Sequence, residues 1–141
     1  IVATSGYFDP IHSGHIELFK KAKELGDRLI VILNTDKQAK LKKGFVFMPF
    51  EERKQIIEAI KYVDGVVESL DKDGTVCKSL EWLRPDIFAK GGDRTKEEIP
   101  EAKICKELGI KIVDGLGGKV QSSSELLDQY LGWVNKKYGG I

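Results

Sequence analysis

The run Leu29-Ile30-Val31-Ile32-Leu33 constrains the fold more than any other feature of the chain. Consecutive aliphatic residues, most of them β-branched, make a strand with no polar face, and such a strand must be covered on both sides. Sheets covered by helices on both faces are built from parallel strands joined by crossovers. The rest of the sequence supplies those parts. Ile1–Ser5, Val63–Glu68, Ile87–Lys90 and Ile110–Val113 read as further strands. Between them, His15–Leu25, Glu51–Lys61, Thr75–Leu83 and Pro100–Leu108 read as helices, and a last helix runs from Ser123 to Lys136. Gly26 and Gly109 stop two of these helices, and Pro85 ends a third. The expected fold is α/β: an open parallel five-stranded sheet with helices on both faces, in a single domain over residues 1–141.

Charge excludes some function classes. With 23 basic and 22 acidic residues, the net charge of +1 gives no broad cationic surface for nucleic acid. No aliphatic run approaches the ~20 residues that span a bilayer. Neither nucleic acid nor membrane is therefore expected as a partner. Cys77 and Cys105 form no CxxC pair and have no histidine near them in sequence, so they read as reduced thiols in a cytoplasmic protein.

Open parallel sheets bind ligands beyond the carboxyl ends of their strands. The loops after the first, second, fourth and fifth strands are therefore where chemistry is expected. The first of them, Gly6-Tyr7-Phe8-Asp9-Pro10-Ile11-His12-Ser13-Gly14-His15, holds both histidines of the chain at the mouth of a helix. A helix N-terminus offers unpaired N–H groups and partial positive charge, which makes an anion site with two imidazoles beside it. A metal site is not expected, because no cysteine or third histidine joins the pair and Asp9 is the one nearby carboxylate. After the fourth strand, Gly91 and Gly92 let a ligand approach the backbone closely, with Asp93 as a hydrogen-bond acceptor. Ahead of the last helix, Ser122 and Glu125 have capping-box spacing.

The Gly6–His15 segment resembles the GxFDxxHxGH signature of the HxGH nucleotidylyltransferase (cytidylyltransferase-like) superfamily. That resemblance implies a Rossmann-like fold and transfer of a nucleoside monophosphate from a triphosphate to a phosphorylated small molecule, with release of pyrophosphate. It implies that His12 and His15 donate to the α-phosphate and the bridging oxygen. Lys40 and Lys43, or Lys42 in place of one, would come from a loop over Lys37–Phe45 to neutralise the other phosphates. Arg53 would face the site from its helix. Gly6, Tyr7, Phe8, Asp9, Gly14, Lys42, Lys90, Gly91, Gly92, Asp93, Ser122, Ser123 and Ser124 would bind the nucleotide. Mg²⁺ with ATP or CTP is the expected cofactor, and a homodimer the expected assembly.

Lys90-Gly91-Gly92-Asp93 is most similar to the heptose-1-phosphate adenylyltransferases of lipopolysaccharide core synthesis. Two departures stand out: Tyr7 replaces their usual cysteine, and Arg94-Thr95 replaces an aromatic. Asn34-Thr35-Asp36 and Ile60–Asp64 are also similar to glycerol-3-phosphate cytidylyltransferases, whose Arg-Thr-x-Gly-Ile-Ser-Thr-Thr run is missing here. Archaeal FMN adenylyltransferases share the first motif and a serine pair before the last helix.

Overall fold

The apolar runs form strands β1 (Val2–Gly6), β2 (Leu29–Leu33), β3 (Gly65–Glu68), β4 (Ile87–Gly91) and β5 (Lys111–Leu116). The helices are α1 (Ser13–Lys23), α2 (Asp36–Lys43), α3 (Phe50–Glu58), α4 (Cys77–Leu83), α5 (Ala102–Leu108) and α6 (Ser123–Tyr138). The computed structural model describes residues 1–92, 99–117 and 123–139, with Ser123 and Ser124 as backbone only. All strand pairs are parallel, in the order β3-β2-β1-β4-β5.

The alternation of side chains along each strand divides the core into two layers. Val2, Leu29, Val31, Leu33 and Ala89 face Phe19 and Ala22 of α1 and Ile57 of α3. Ala3, Ile32 and Phe88 face Leu80 of α4 and Cys105 of α5. This two-sided burial is what the all-aliphatic β2 requires. Thr4, fully buried in β1, satisfies its hydroxyl by donating to the Ala89 carbonyl at 2.8 Å.

The chain winds outward from β1 through β2 to β3, then crosses to β4 on the other side of β1. That reversal opens a crevice at the carboxyl ends of β1 and β4, where a ligand can enter between diverging loops.

Two elements differ from the sequence reading. The segment expected as a lysine-bearing loop, Lys37–Phe45, is mostly helix α2. Thr35 accepts from the Gln38 amide at 3.1 Å while the Gln38 side chain accepts from the Thr35 amide at 2.9 Å, a reciprocal cap that outweighs lysine repulsion. Gln38 and Ala39 are fully buried, and Gly44 ends the helix at φ +76°. Strand β5 also runs three residues beyond Val113, because Gly91 pairs with Leu116 across a bulge.

Candidate active site

The loop from β1 to α1 positions the two histidines through their own ring nitrogens. His12 is the N-cap of α1, and its Nδ1 accepts from the Gly14 amide at 3.1 Å. His15 Nδ1 accepts in turn from the His12 amide at 3.1 Å. The pair is a capping box in which imidazoles replace the usual hydroxyl and carboxylate. Their rings stack with centroids 3.7 Å apart.

This arrangement fixes their protonation. A ring nitrogen that accepts a hydrogen bond carries no proton, so each neutral imidazole has its proton on Nε2. Burial lowers the His12 pKa. Burial first, then His12 and Lys43, lowers that of His15 from 6.5 to about 3. Near neutral pH both rings are therefore uncharged and each carries an Nε2–H donor that the capping box does not use.

A chain of contacts holds His15 in place. The Phe8 ring meets His15 edge-on at 4.8 Å and Phe19 at 5.2 Å. Gly6 leaves room for that ring, since a Cβ there would lie 2.7 Å from Phe8 Cζ. Phe8 itself is buried and has a left-handed backbone, φ +52°. Its side chain therefore supports the histidine ring.

Asp9 and Arg53 are likewise buried and tie neighbouring segments together. Asp9 is 1% exposed, and its carboxylate accepts from the Phe47 and Met48 amides at 2.8 and 2.6 Å. It ties the β1 loop to the start of α3. Arg53 has no exposed surface. Its guanidinium donates to the carbonyls of Met48, Tyr7 and Asn34 at 2.9, 2.7 and 2.9 Å, and to Asp36 Oδ1 at 2.7 Å. One side chain thus joins the exits of β1 and β2 to the start of α2 and the approach to α3. Arginine can satisfy this many acceptors because its donors form a rigid fork.

Helix α2 brings two of its lysines to the same loop. Lys43 Nζ donates to the Asp9 carbonyl at 2.7 Å and lies 3.7 Å from its carboxylate. Burial is the main cause of a lowered Lys43 pKa. Lys42 Nζ sits 4.7 Å from the centroid of the Tyr7 ring. Lys40, one turn before Lys43, is exposed.

Beside these groups is a cavity of about 140 Å³. Tyr7, Lys42 and Lys90 line it, as does Gly6, together with Ser5, Asn34, Gly74, Val76, Pro100 and Glu101. Gly74 and Val76 follow β3, whose exit loop the sequence reading passed over. Glu101, just ahead of α5, is 5% exposed and was likewise missed. No spacing pattern in the sequence distinguishes either from ordinary loop residues. Gly14 acts through its backbone amide. Gly91 is required by the β5 bulge, since a Cβ there would meet the Leu116 carbonyl at 3.0 Å, and Gly92 has φ +79°. Asp93 and Ser122 lie outside the described residues, as do the side chains of Ser123 and Ser124.

A β1–α1 loop with paired imidazoles, at the switch point of an open parallel sheet, defines a nucleotide-handling α/β protein. The chain belongs to the cytidylyltransferase-like family, whose model matches residues 3–117. That family consists of nucleotidyltransferases, which use a nucleoside triphosphate and a phosphorylated second substrate. The chain is 39% identical to the bifunctional protein HldE of Hahella chejuensis, over 86% of its own length and 24% of that relative's. It is also 39% identical to the FAD synthase of Pyrococcus horikoshii, over 79% of its length and 75% of that relative's. The crystal structure of the lipopolysaccharide core biosynthesis protein from Thermoplasma volcanium superposes with a TM-score of 0.70 at 28% identity, over 83% of this chain and 96% of that one. Among the described residues, no helix is long and apolar enough to cross a membrane.

Proposed function

We propose that this chain transfers the adenylyl group of ATP to a sugar 1-phosphate of the heptose 1-phosphate type, releasing pyrophosphate. The observation that carries the reading is the pair of neutral imidazoles with Nε2–H donors at the mouth of α1. An acceptor phosphate oxygen attacks the α-phosphorus in line, and the bond to the bridging oxygen breaks. Negative charge builds on the α-phosphate oxygens and on the leaving pyrophosphate. His12 and His15 donate to those atoms as the charge develops, from positions set before substrate arrives. Lys42 and Lys43 neutralise the outer phosphates, and Lys40 reaches them from solvent. Arg53 and Asp9 act by positioning these groups.

Mg²⁺ enters as part of the nucleotide substrate. Among the described residues no three His, Cys, Asp or Glu side chains converge on a common point. Bound with the triphosphate, it would be held mostly by phosphate oxygens and water.

The similarity to HldE and to a lipopolysaccharide core biosynthesis protein supports the sugar phosphate. The similarity to FAD synthase supports a second reading, adenylylation of FMN. Glycerol 3-phosphate with CTP is a third pairing. The test is pyrophosphate release with ATP, CTP, GTP and UTP, each against heptose 1-phosphate, glycerol 3-phosphate and FMN. The proposal expects the highest kcat/KM for ATP with heptose 1-phosphate. Tight nucleotide binding without pyrophosphate from any pair means a regulatory, non-catalytic domain.

A further inference from the structure

Gln38 is fully buried, although it sits in the first turn of a helix that carries four lysines. Its carboxamide is used at both ends. Oε1 accepts from the Thr35 amide at 2.9 Å and so caps α2. Nε2 points away from the helix and donates to the carbonyls of Asp73 and Thr75 at 2.7 and 3.2 Å. The cap needs only the oxygen, which a glutamate supplies equally well. The two N–H groups serve the segment after β3 instead.

Those two carbonyls flank Gly74, a wall of the cavity described above. Residues 72–75 belong to no helix or strand, and among the described residues no backbone–backbone hydrogen bond reaches them. Asp73 closes a local turn by accepting from the Thr75 amide and hydroxyl at 2.9 and 2.7 Å. That turn shapes the segment without attaching it to a neighbour; Gln38 attaches it to α2. Lys42 stands one turn further along α2, on the face that Gln38 occupies. It lines the same cavity. Lys43 fixes its own ammonium by the 2.7 Å bond to the Asp9 carbonyl. Lys42 has a ring contact with Tyr7 and no such bond, so its ammonium stands where the axis and rotation of α2 place it. Gln38 sets both from the first turn.

We infer that Gln38 is a positioning residue for Lys42: by clamping the Asp73–Thr75 turn to α2, it fixes the separation of two walls of the site and holds the Lys42 ammonium where the outer phosphates of the nucleotide arrive. The inference rests on the transfer reading above, which gives Lys42 that role, and names the residue through which the role is met.

Gln38→Met keeps the length of the side chain and removes its three hydrogen bonds. It is measured in a cycle with Lys42→Met, by calorimetric titration of ATP and of AMP at a temperature where thermal melts show every variant folded. Lys42→Met should weaken ATP by about tenfold, the value of one charge-assisted contact, and spare AMP, which lacks the outer phosphates. Gln38→Met should weaken ATP by about three- to tenfold and also spare AMP. Once Lys42 is already methionine, it should have no further effect on ATP. A role confined to stability lowers Tm but does not separate ATP from AMP. The inference is overturned by unchanged ATP affinity in either single variant, by equal losses for ATP and AMP, or by losses that add in the double variant. Gln38→Glu retains the acceptor for Thr35, and with it the cap, but loses the amide donors. It takes the place of Gln38→Met if that variant does not fold, with the same outcomes. Additive losses in a protein that releases pyrophosphate overturn the inference alone. A coupled cycle in a protein that releases none from any nucleotide overturns the transfer reading alone.

Discussion

Replacing Arg53 by alanine removes four hydrogen bonds and a buried charge in one step. The partners are the carbonyls of Met48, Tyr7 and Asn34 and the carboxylate of Asp36. Asp36 is 40% exposed on its side chain and regains water when the guanidinium is gone. Asn34, 3% exposed, does not. The loss thus falls between that of an exposed ion pair and that of a fully enclosed one, on the order of 3–4 kcal/mol. For a chain of this size that lowers Tm by roughly 10–20 °C. Arg53→Lys keeps the charge, but one ammonium cannot reach acceptors spread over four segments, so it recovers less than half of the loss. Thermal melts with urea midpoints measure the stability, and calorimetric titration with ATP measures binding at a temperature where all variants are folded. A melt for Arg53→Ala within roughly 3 °C of wild type, joined to a tenfold loss of ATP affinity, would refute this reasoning. It would return Arg53 to a direct role at the phosphates.

Two further predictions follow from the histidine loop. His15 holds a pKa of about 3 against 6.5 ordinarily, so below 6.5 the unfolded chain binds a proton that the folded one refuses. Its contribution to stability is complete above 6.5 and is lost as pH falls toward 3, at ~1.4 kcal/mol per pH unit, or ~2 kcal/mol by about pH 5. Urea midpoints between neutral pH and about pH 5 should show this slope, and His15→Gln should flatten it; equal slopes would contradict the assignment. Gly6→Ala places a Cβ 2.7 Å from Phe8 Cζ and pushes that ring against His15. It should destabilise by ~1–3 kcal/mol and lower kcat, whereas a variant neutral in both melting and turnover would dismiss the Gly6–Phe8–His15 support.

Much of the fold was legible because it depends on periodicity and punctuation. The aliphatic β2 demanded cover on both faces, and glycines and prolines marked most boundaries to within a few residues. Helix α2 was missed because four lysines suggested a solvated loop, although Thr35 and Gln38 already had the spacing of a reciprocal cap. At the site, both histidines were legible from their place at a strand-to-helix turn. Their tautomers were not, since these depend on which ring nitrogen faces a backbone amide. The burial of Asp9 and Arg53 was not legible, because sequence carries no record of it. Only the folded chain shows that their donors and acceptors are used on segments about 40 residues away, as in Asp9 to Met48 and Arg53 to Tyr7. Gly74 and Glu101 reach the cavity from β3 and α5, a convergence that only strand order creates.

The central claim is that two neutral imidazoles, held by their own capping bonds, donate where charge develops during nucleotidyl transfer. Its most direct test is pyrophosphate release by wild type and His15→Ala with Mg-ATP and heptose 1-phosphate, together with the ATP Kd of each. The account predicts release by wild type, a fall in kcat of about 10²–10³ for His15→Ala, and an ATP Kd within a few-fold of wild type. Equal losses in kcat and ATP affinity, or release that does not depend on His15, would contradict it.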